Sequence, residues 1–247
     1  MPRFFISRES IQGGRILLGE QNSTHLKALR LRAGEELTVS DGQGTEYRCA
    51  FEGMENGIGV AGILGTAPCE TEPRLSVSLY AAMPKGDKAE LILQKAVELG
   101  ASEAFFFLSS RCVSRPEEKA AIKRMERLAR VAEEAAMQSG RGRIPQVHWL
   151  PDFRAMTESA AAHALGLFLW EAERERSIRA VLRQADVSRL PSLAIVTGPE
   201  GGFSREEAEA AGNAGLTPVT LGKRILRCET APICALSAVM YETGNLE

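Results

Sequence analysis

The stretch Leu193-Ala194-Ile195-Val196-Thr197-Gly198-Pro199-Glu200-Gly201-Gly202-Phe203-Ser204-Arg205-Glu206-Glu207 changes character twice. Residues 193–197 are an apolar run of strand length, residues 198–202 a glycine-rich turn, and Ser204 with acids at 206 and 207 has the form of a helix N-terminus. A strand that turns through glycines into a helix exposes backbone N–H and C=O groups where no Cβ blocks an approaching ligand. A tight structural loop is the alternative reading, since glycines are common at strand ends.

The same rhythm extends both ways from this junction. Strands are expected at 75–81, 104–108, 147–150, 165–169 and 218–221. Helices are expected at 87–99 (stopped by Gly100), 116–139, 153–163, 178–184 and 204–214, and a last one after Pro232. Strands separated by helices of this length imply an α/β domain with a parallel sheet and helices on both faces.

The first seventy residues read differently, as short strands at 3–6, 15–18, 36–40, 46–51 and 57–64. Asp41-Gly42-Gln43-Gly44 and Glu55-Asn56-Gly57 are hairpin signals, and Ser23 is a candidate N-cap for a short helix reaching Leu31 and closed by Gly34. The natural linker is Pro68-Cys69-Glu70-Thr71-Glu72-Pro73, which divides the chain into a β-rich module, 1–70, and the α/β part, 74–247.

A second segment matches the first in kind. Leu221-Gly222-Lys223-Arg224-Ile225-Leu226-Arg227-Cys228-Glu229-Thr230-Ala231 also follows an expected strand and sets three cations and a carboxylate before the last helix. Loops at the carboxyl ends of successive strands line the crevice in which open α/β sheets bind ligands. Solvated surface explains Lys223 and Arg224 well, and a structural ion pair is the alternative for Arg227 and Glu229.

Composition narrows the function classes. The chain has 247 residues, 44% of them apolar and 25% charged, which is ordinary globular composition. No apolar run approaches the roughly 18 residues of a membrane span, and the N-terminal residues carry no long apolar signal region, so a cytoplasmic protein is expected. Five cysteines without a C-x-x-C pair argue for reduced thiols and against zinc, so no metal is expected. The P-loop pattern, HExxH and G-x-S-x-G are missing, and no G-x-G-x-x-G stands between strand and helix near the start of the α/β part.

Lys and Arg total 30 against 32 for Asp and Glu, so an anionic partner would have to be met by local charge. Residues 111–145 hold nine Lys or Arg against five Glu, and His25, Lys27, Arg30 and Arg32 fall in eight positions without an acid. Either could hold phosphates, and a solvated basic helix face is the alternative for both. Arg141 and Arg143 lie on a glycine-interrupted turn that could follow a folded nucleic-acid backbone.

Five blocks occur in order: His25-Leu26 with Leu29-Arg30 and Gly34; Lys85-Gly86-Asp87-Lys88 through Gln94-Lys95-Ala96-Val97-Glu98-Leu99-Gly100; Glu134-Ala135 with Gln138-Ser139, Arg141 and Ile144-Pro145; and the two loops, 198–204 and 221–231. Through them the sequence resembles, over essentially its whole length, the RsmE-type 16S ribosomal RNA uridine-N3 methyltransferases of the SPOUT superfamily. The resemblance implies a PUA-like β-barrel at the N-terminus and a SPOUT-type α/β domain whose last segments thread a trefoil knot, a topology that general rules would count as improbable. It implies S-adenosylmethionine bound in a bent shape by Leu169 and Glu171, by Thr197, Gly198, Pro199, Glu200, Gly201 and Gly202, and by Leu221, Gly222, Ile225, Leu226, Arg227, Thr230 and Ala231. A homodimer would complete the site.

On the same resemblance the partner is 16S RNA, within the small ribosomal subunit, held by His25, Arg30, Arg32, Lys85, Arg111, Gln138, Arg141 and Arg143. Arg227 would hold the charge of the uracil anion, and Glu229, or a water it orients, would receive the N3 proton; bulk hydroxide is the alternative base. Two competing readings are a non-catalytic RNA-binding or ribosome-assembly protein of the same fold and a methyltransferase acting on transfer RNA. Two residues depart from the family pattern: Met137, where an acid is expected, and Cys228, where threonine is usual.

Overall fold

The computed structural model describes residues 1–186 and 190–246. Its chain divides into two compact units, one formed by residues 1–72 with 136–144 and the other by 73–135 with 145–247.

The first unit is a six-stranded sheet. Its strands are β1 (Arg3–Phe5), β2 (Ile11–Gln12), β3 (Arg15–Leu18), β4 (Glu36–Ser40), β5 (Thr45–Glu55) and β6 (Ile58–Pro68), in the spatial order β1-β4-β5-β6-β3-β2. The β1–β4 pair is parallel and the others are antiparallel. Asn56 and Gly57, both at positive φ (50° and 84°), make the tight β5–β6 reversal that the sequence announces. One core collects Phe4, Ile16, Leu18, Leu37, Val39, Phe51 and Ala61 from five of the strands, so the sheet wraps around its apolar face.

Helix α1 (Glu20–Leu29) covers this core with Leu26 and differs from the sequence expectation at both ends. Ser23 is inside the helix instead of capping it. Its buried hydroxyl donates to the Leu18 carbonyl and accepts the Gly59 N–H, work that fixes α1 on the sheet. The helix ends at Arg30 in the left-handed region (φ 55°), four residues before Gly34.

Residues 136–144 return to this unit through polar contacts that no local pattern announces. The Arg141 guanidinium, 5% exposed, pairs with the Glu72 carboxylate at 2.6 Å, and the N–H groups of Gly142 and Arg143 donate to the same carboxylate. The Ser40 hydroxyl donates to the Gly142 carbonyl, and Arg3 donates to the Arg141 carbonyl. The expectation of a mobile turn offering Arg141 to RNA is therefore corrected: its charge is spent on Glu72, while Arg143 is exposed.

The second unit carries an all-parallel sheet in the order β12-β10-β11-β7-β8-β9. Its strands are β7 (Ser76–Ala82), β8 (Glu103–Phe107), β9 (Gln146–Leu150), β10 (Leu165–Leu169), β11 (Ser192–Thr197) and β12 (Thr217–Val219). The intervening helices are α2 (Lys88–Glu98), α3 (Glu118–Ser139), α4 (Phe153–Ala160), α5 (Ile178–Gln184), α6 (Arg205–Asn213) and α7 (Thr230–Glu242). In α2 the buried Ala89, Ile92, Leu93, Ala96 and Val97 follow the i, i+3, i+4, i+7 spacing of one apolar stripe, and Gly100 (φ 92°) ends the segment. The last helix begins at Thr230, two residues before Pro232 and not after it, because proline is tolerated in a first turn whose N–H groups have no intrahelical partner.

Among the described residues no helix is long and apolar enough to cross a membrane. Truncating Arg141 tests the ion pair that ties 136–144 into the first unit. Arg141→Met leaves the Glu72 carboxylate short of its charged partner and should cost about 3 kcal/mol in chemical denaturation, as expected when a largely buried pair is broken.

Candidate active site

Three loops meet at the carboxyl ends of neighbouring strands β12, β10 and β11. The loop after β10 brings Leu169, Trp170 and Glu171; that after β11 brings residues 198–202; that after β12 brings Thr220, Leu221, Gly222 and residues 224–228. They enclose a cleft of about 550 Å³, within the range of small-molecule sites. Every cofactor residue expected from the sequence lines it except Thr230, which opens α7.

Packing holds the 198–202 loop from both sides. Phe203, fully buried, stacks 4.3 Å from the ring of Phe168 on β10 and lies among Phe107 and Phe153, so the end of the loop is fastened to the sheet. Ser204 and Glu207 form a capping box at the start of α6. The Glu207 carboxylate also accepts the Ser110 N–H at 2.7 Å, which ties α6 to the segment after β8. Gly202 sits at φ 64°, a conformation that favours glycine, and an added Cβ would push the exposed Glu171 carboxylate aside.

The loop after β12 is held by backbone. Thr220 donates its N–H to the Arg176 carbonyl and accepts the Ile178 N–H on its own carbonyl, while Trp170 N–H donates to Val219. The chain after β10 and the chain after β12 are thus laced together at the cleft itself, through Trp170, Val219 and Thr220. Gly222 (φ 113°) then turns toward Arg224, Ile225 and Leu226, and Ile225 is 71% exposed at the rim.

Arg227 lines the cleft and is exposed. Glu229 does not line it: as the N-cap residue of α7 it faces Lys88, and the ion pair considered for Arg227 and Glu229 is replaced by Lys88–Glu229 at 3.1 Å. Lys88 also meets Glu200 at 3.2 Å and donates to the Cys228 sulfur at 3.5 Å, and the Cys228 thiol donates to Glu229 at 3.2 Å. The N–H of its own residue, assisted by Cys228 and Lys88 against the cost of burial, holds the Glu229 carboxyl below its ordinary 4.5. Burial pulls Glu200 upward, but backbone N–H groups, including that of Lys85, and the Lys88 ammonium outweigh it and leave it lowered. Burial and the adjacent carboxylates push the Cys228 thiol up to about 12, so it packs and donates as a neutral group.

Sequence reasoning passed over Val219 and Thr220 as lining residues, and Lys88 as the partner of Glu200 and Glu229. Of the expected RNA contacts in this unit, Lys85 and Arg111 are exposed. The Lys85 N–H donates to Glu200, and the Arg111 guanidinium reaches the Gly201 carbonyl at 3.1 Å, beside the cleft loop. In the first unit His25, Arg30 and Arg32 are exposed around the end of α1, and Gln138 is exposed at the end of α3. Among the described residues no group of three His, Cys, Asp or Glu is placed to hold a metal ion.

The glycine-lined loops, the apolar walls of Leu169, Val219 and Leu226, and the free backbone edges form a cradle of the size and polarity that a nucleoside-bearing donor needs. Residues 71–240 match the family model of an RNA methyltransferase domain, and residues 18–61 that of an RNA methyltransferase PUA domain. Ribosomal RNA small subunit methyltransferase E of Bacillus subtilis is 32% identical over all of this chain and 98% of its own length. A solved structure of that enzyme from Neisseria gonorrhoeae, bound to S-adenosyl methionine, superposes with a TM-score of 0.86 at 30% identity, covering 98% of this chain and 97% of the other. A methyltransferase structure from Legionella pneumophila in complex with the same cofactor gives 0.84 at 28% identity, covering 97% and 96%. Similarity of sequence and of fold along nearly the full length of both units leads to one conclusion: the chain belongs to the ribosomal RNA small subunit methyltransferase E family.

Proposed function

We propose that this protein methylates N3 of a uridine in 16S ribosomal RNA of the small ribosomal subunit, with S-adenosylmethionine as donor, and that it works in the cytoplasm as a homodimer. The observation that carries the reading is the convergence of the loops after β10, β11 and β12 on one cleft that includes Arg227. The 30% identity to a chain solved with S-adenosyl methionine supports the choice of donor. Membership of the ribosomal RNA small subunit methyltransferase E family supports the trefoil knot that the resemblance implies for the last segments. The exposed Ile225 and Tyr241, each 71% accessible, with no charged residue on α7 before Glu242, support an apolar contact with a second copy.

In this reading residues 74–247 carry the chemistry and the N-terminal barrel, 1–70, contributes RNA contacts. S-adenosylmethionine, when bound, supplies a methyl group activated on a sulfonium. The protein aligns the uracil ring with that methyl and excludes water, which is where most of the acceleration of a displacement comes from. Uracil N3 must lose its proton to become nucleophilic, and the exposed Arg227 guanidinium stabilises the resulting charge on the ring oxygens. Glu229, held below its ordinary value, is a weak base, so we assign it the task of orienting the water that takes the proton. His25, Arg30, Arg32, Lys85, Arg111, Gln138 and Arg143 hold RNA, most of them through phosphates. Arg141 is left out of that set.

Arg227→Ala should slow methyl transfer at saturating donor by about 10²–10³-fold, with donor affinity titrated separately so that any loss of binding is set apart; an unchanged rate would remove Arg227 from the mechanism. Glu229 is ionised at every pH at which uracil N3 begins to lose its proton, so it adds no limb of its own to the pH–rate profile. Glu229→Gln should lower the curve without shifting it, and a curve of wild-type height would remove Glu229. Mass spectrometry of small-subunit RNA from cells with and without the gene tests the function itself. One N3-methyluridine should disappear with the gene, whereas loss of a methyl group from transfer RNA, or no loss at all, would overturn the reading.

A further inference from the structure

We propose that Lys88 is a positioning residue of the methyl-donor site: its ammonium joins Glu200 on one cleft loop to Glu229 beside the other and so sets the separation of the cleft walls. The inference rests on the functional reading above and concerns a residue that lines no part of the cleft.

Lys88 is the first residue of α2, where a cation opposes the positive end of the helix dipole, so helix stability alone favours an acid there. The surroundings account for the choice. Glu200 lies at 3.2 Å, Glu229 at 3.1 Å and the Cys228 sulfur at 3.5 Å, so each of the three ammonium protons has an acceptor. A compact ammonium can serve three directions at once, which a planar guanidinium fork does less well.

Without that charge two carboxylates on different loops would face each other uncompensated, and like charges at this range repel. Glu200 is also held by the Lys85 N–H, so the segment before α2 grips the loop after β11 twice. Glu229 is the N-cap residue of α7, and α7 packs against α2, so the Lys88 and Glu229 members of the bridge stand on one pair of packed helices, while Glu200 is on the loop that they hold. The bridge thus spans the two loops through side chains that take no part in lining the cleft on the Lys88 side.

The test is titration of S-adenosylmethionine into wild type, Lys88→Met, Lys88→Arg and the double variant Lys88→Met/Glu229→Gln, whose second position does not line the cleft, by calorimetry, with thermal unfolding of each ligand-free protein alongside. Lys88→Met should weaken donor binding by about 10-fold, the scale of a coupled pair. Lys88→Arg should restore part of the affinity, and so should the double variant, in which the repulsion is relieved. A role in folding alone would lower the melting temperature and leave the affinity of the folded protein unchanged. A folded Lys88→Met protein that binds within twofold of wild type would overturn the inference; should that variant not fold, Lys88→Gln decides by the same criterion. Failure of the wild type to bind the donor would instead overturn the functional reading, and this inference with it.

Discussion

The register of three adjacent parallel strands, β12, β10 and β11, is the constraint on which the site depends. Because they run the same way, their carboxyl ends open on one edge, and the loops that leave them have nowhere to go but toward each other. Hydrogen bonds and ring contacts then fix the loops. Thr220 is hydrogen-bonded on both sides by the chain after β10, and Phe203 is pinned against Phe168. A cleft built this way is formed by the backbone before any ligand arrives, which suits a reaction in which alignment does most of the work.

Charge is used sparingly around that cleft. With Lys and Arg nearly balanced by Asp and Glu, no global field draws RNA to the protein, so recognition falls to particular exposed cations. Several cations that look available in the sequence are already committed in the structure: Arg141 to Glu72, Arg3 to Glu46, Arg127 to Glu90 and Lys88 to Glu200 and Glu229. His25, Arg30, Arg32 and Arg143 in the first unit and Arg224 and Arg227 at the cleft are among the exposed cationic positions that remain.

Periodicity and turn chemistry made the α/β alternation legible, since each strand and helix has a length and spacing of its own, and the stripe of α2 and the Asn56-Gly57 turn appear almost unaltered. The two glycine-bearing loops were legible for the same reason: glycine and a capping serine leave local marks. What depends on contacts between distant residues was not. Ser23 looks like a cap and is instead a buried strut, and Arg30 ends α1 without the glycine that such ends favour. The return of residues 136–144 to the first unit rests on the Glu72 pairing across 69 positions, and Lys88 meets Glu229 across about twice that separation, which no local pattern spans. The only local trace of Lys88's role was a cation in the first turn of a helix.

The central claim is that the loops after β11 and β12 form a single donor-binding cleft. Hydrogen exchange of the backbone amides, followed with and without S-adenosylmethionine, tests it directly. Residues 198–202 and 221–228 should gain protection together and over the same range of donor concentration. Protection of only one of the two loops, or of neither, would contradict the claim.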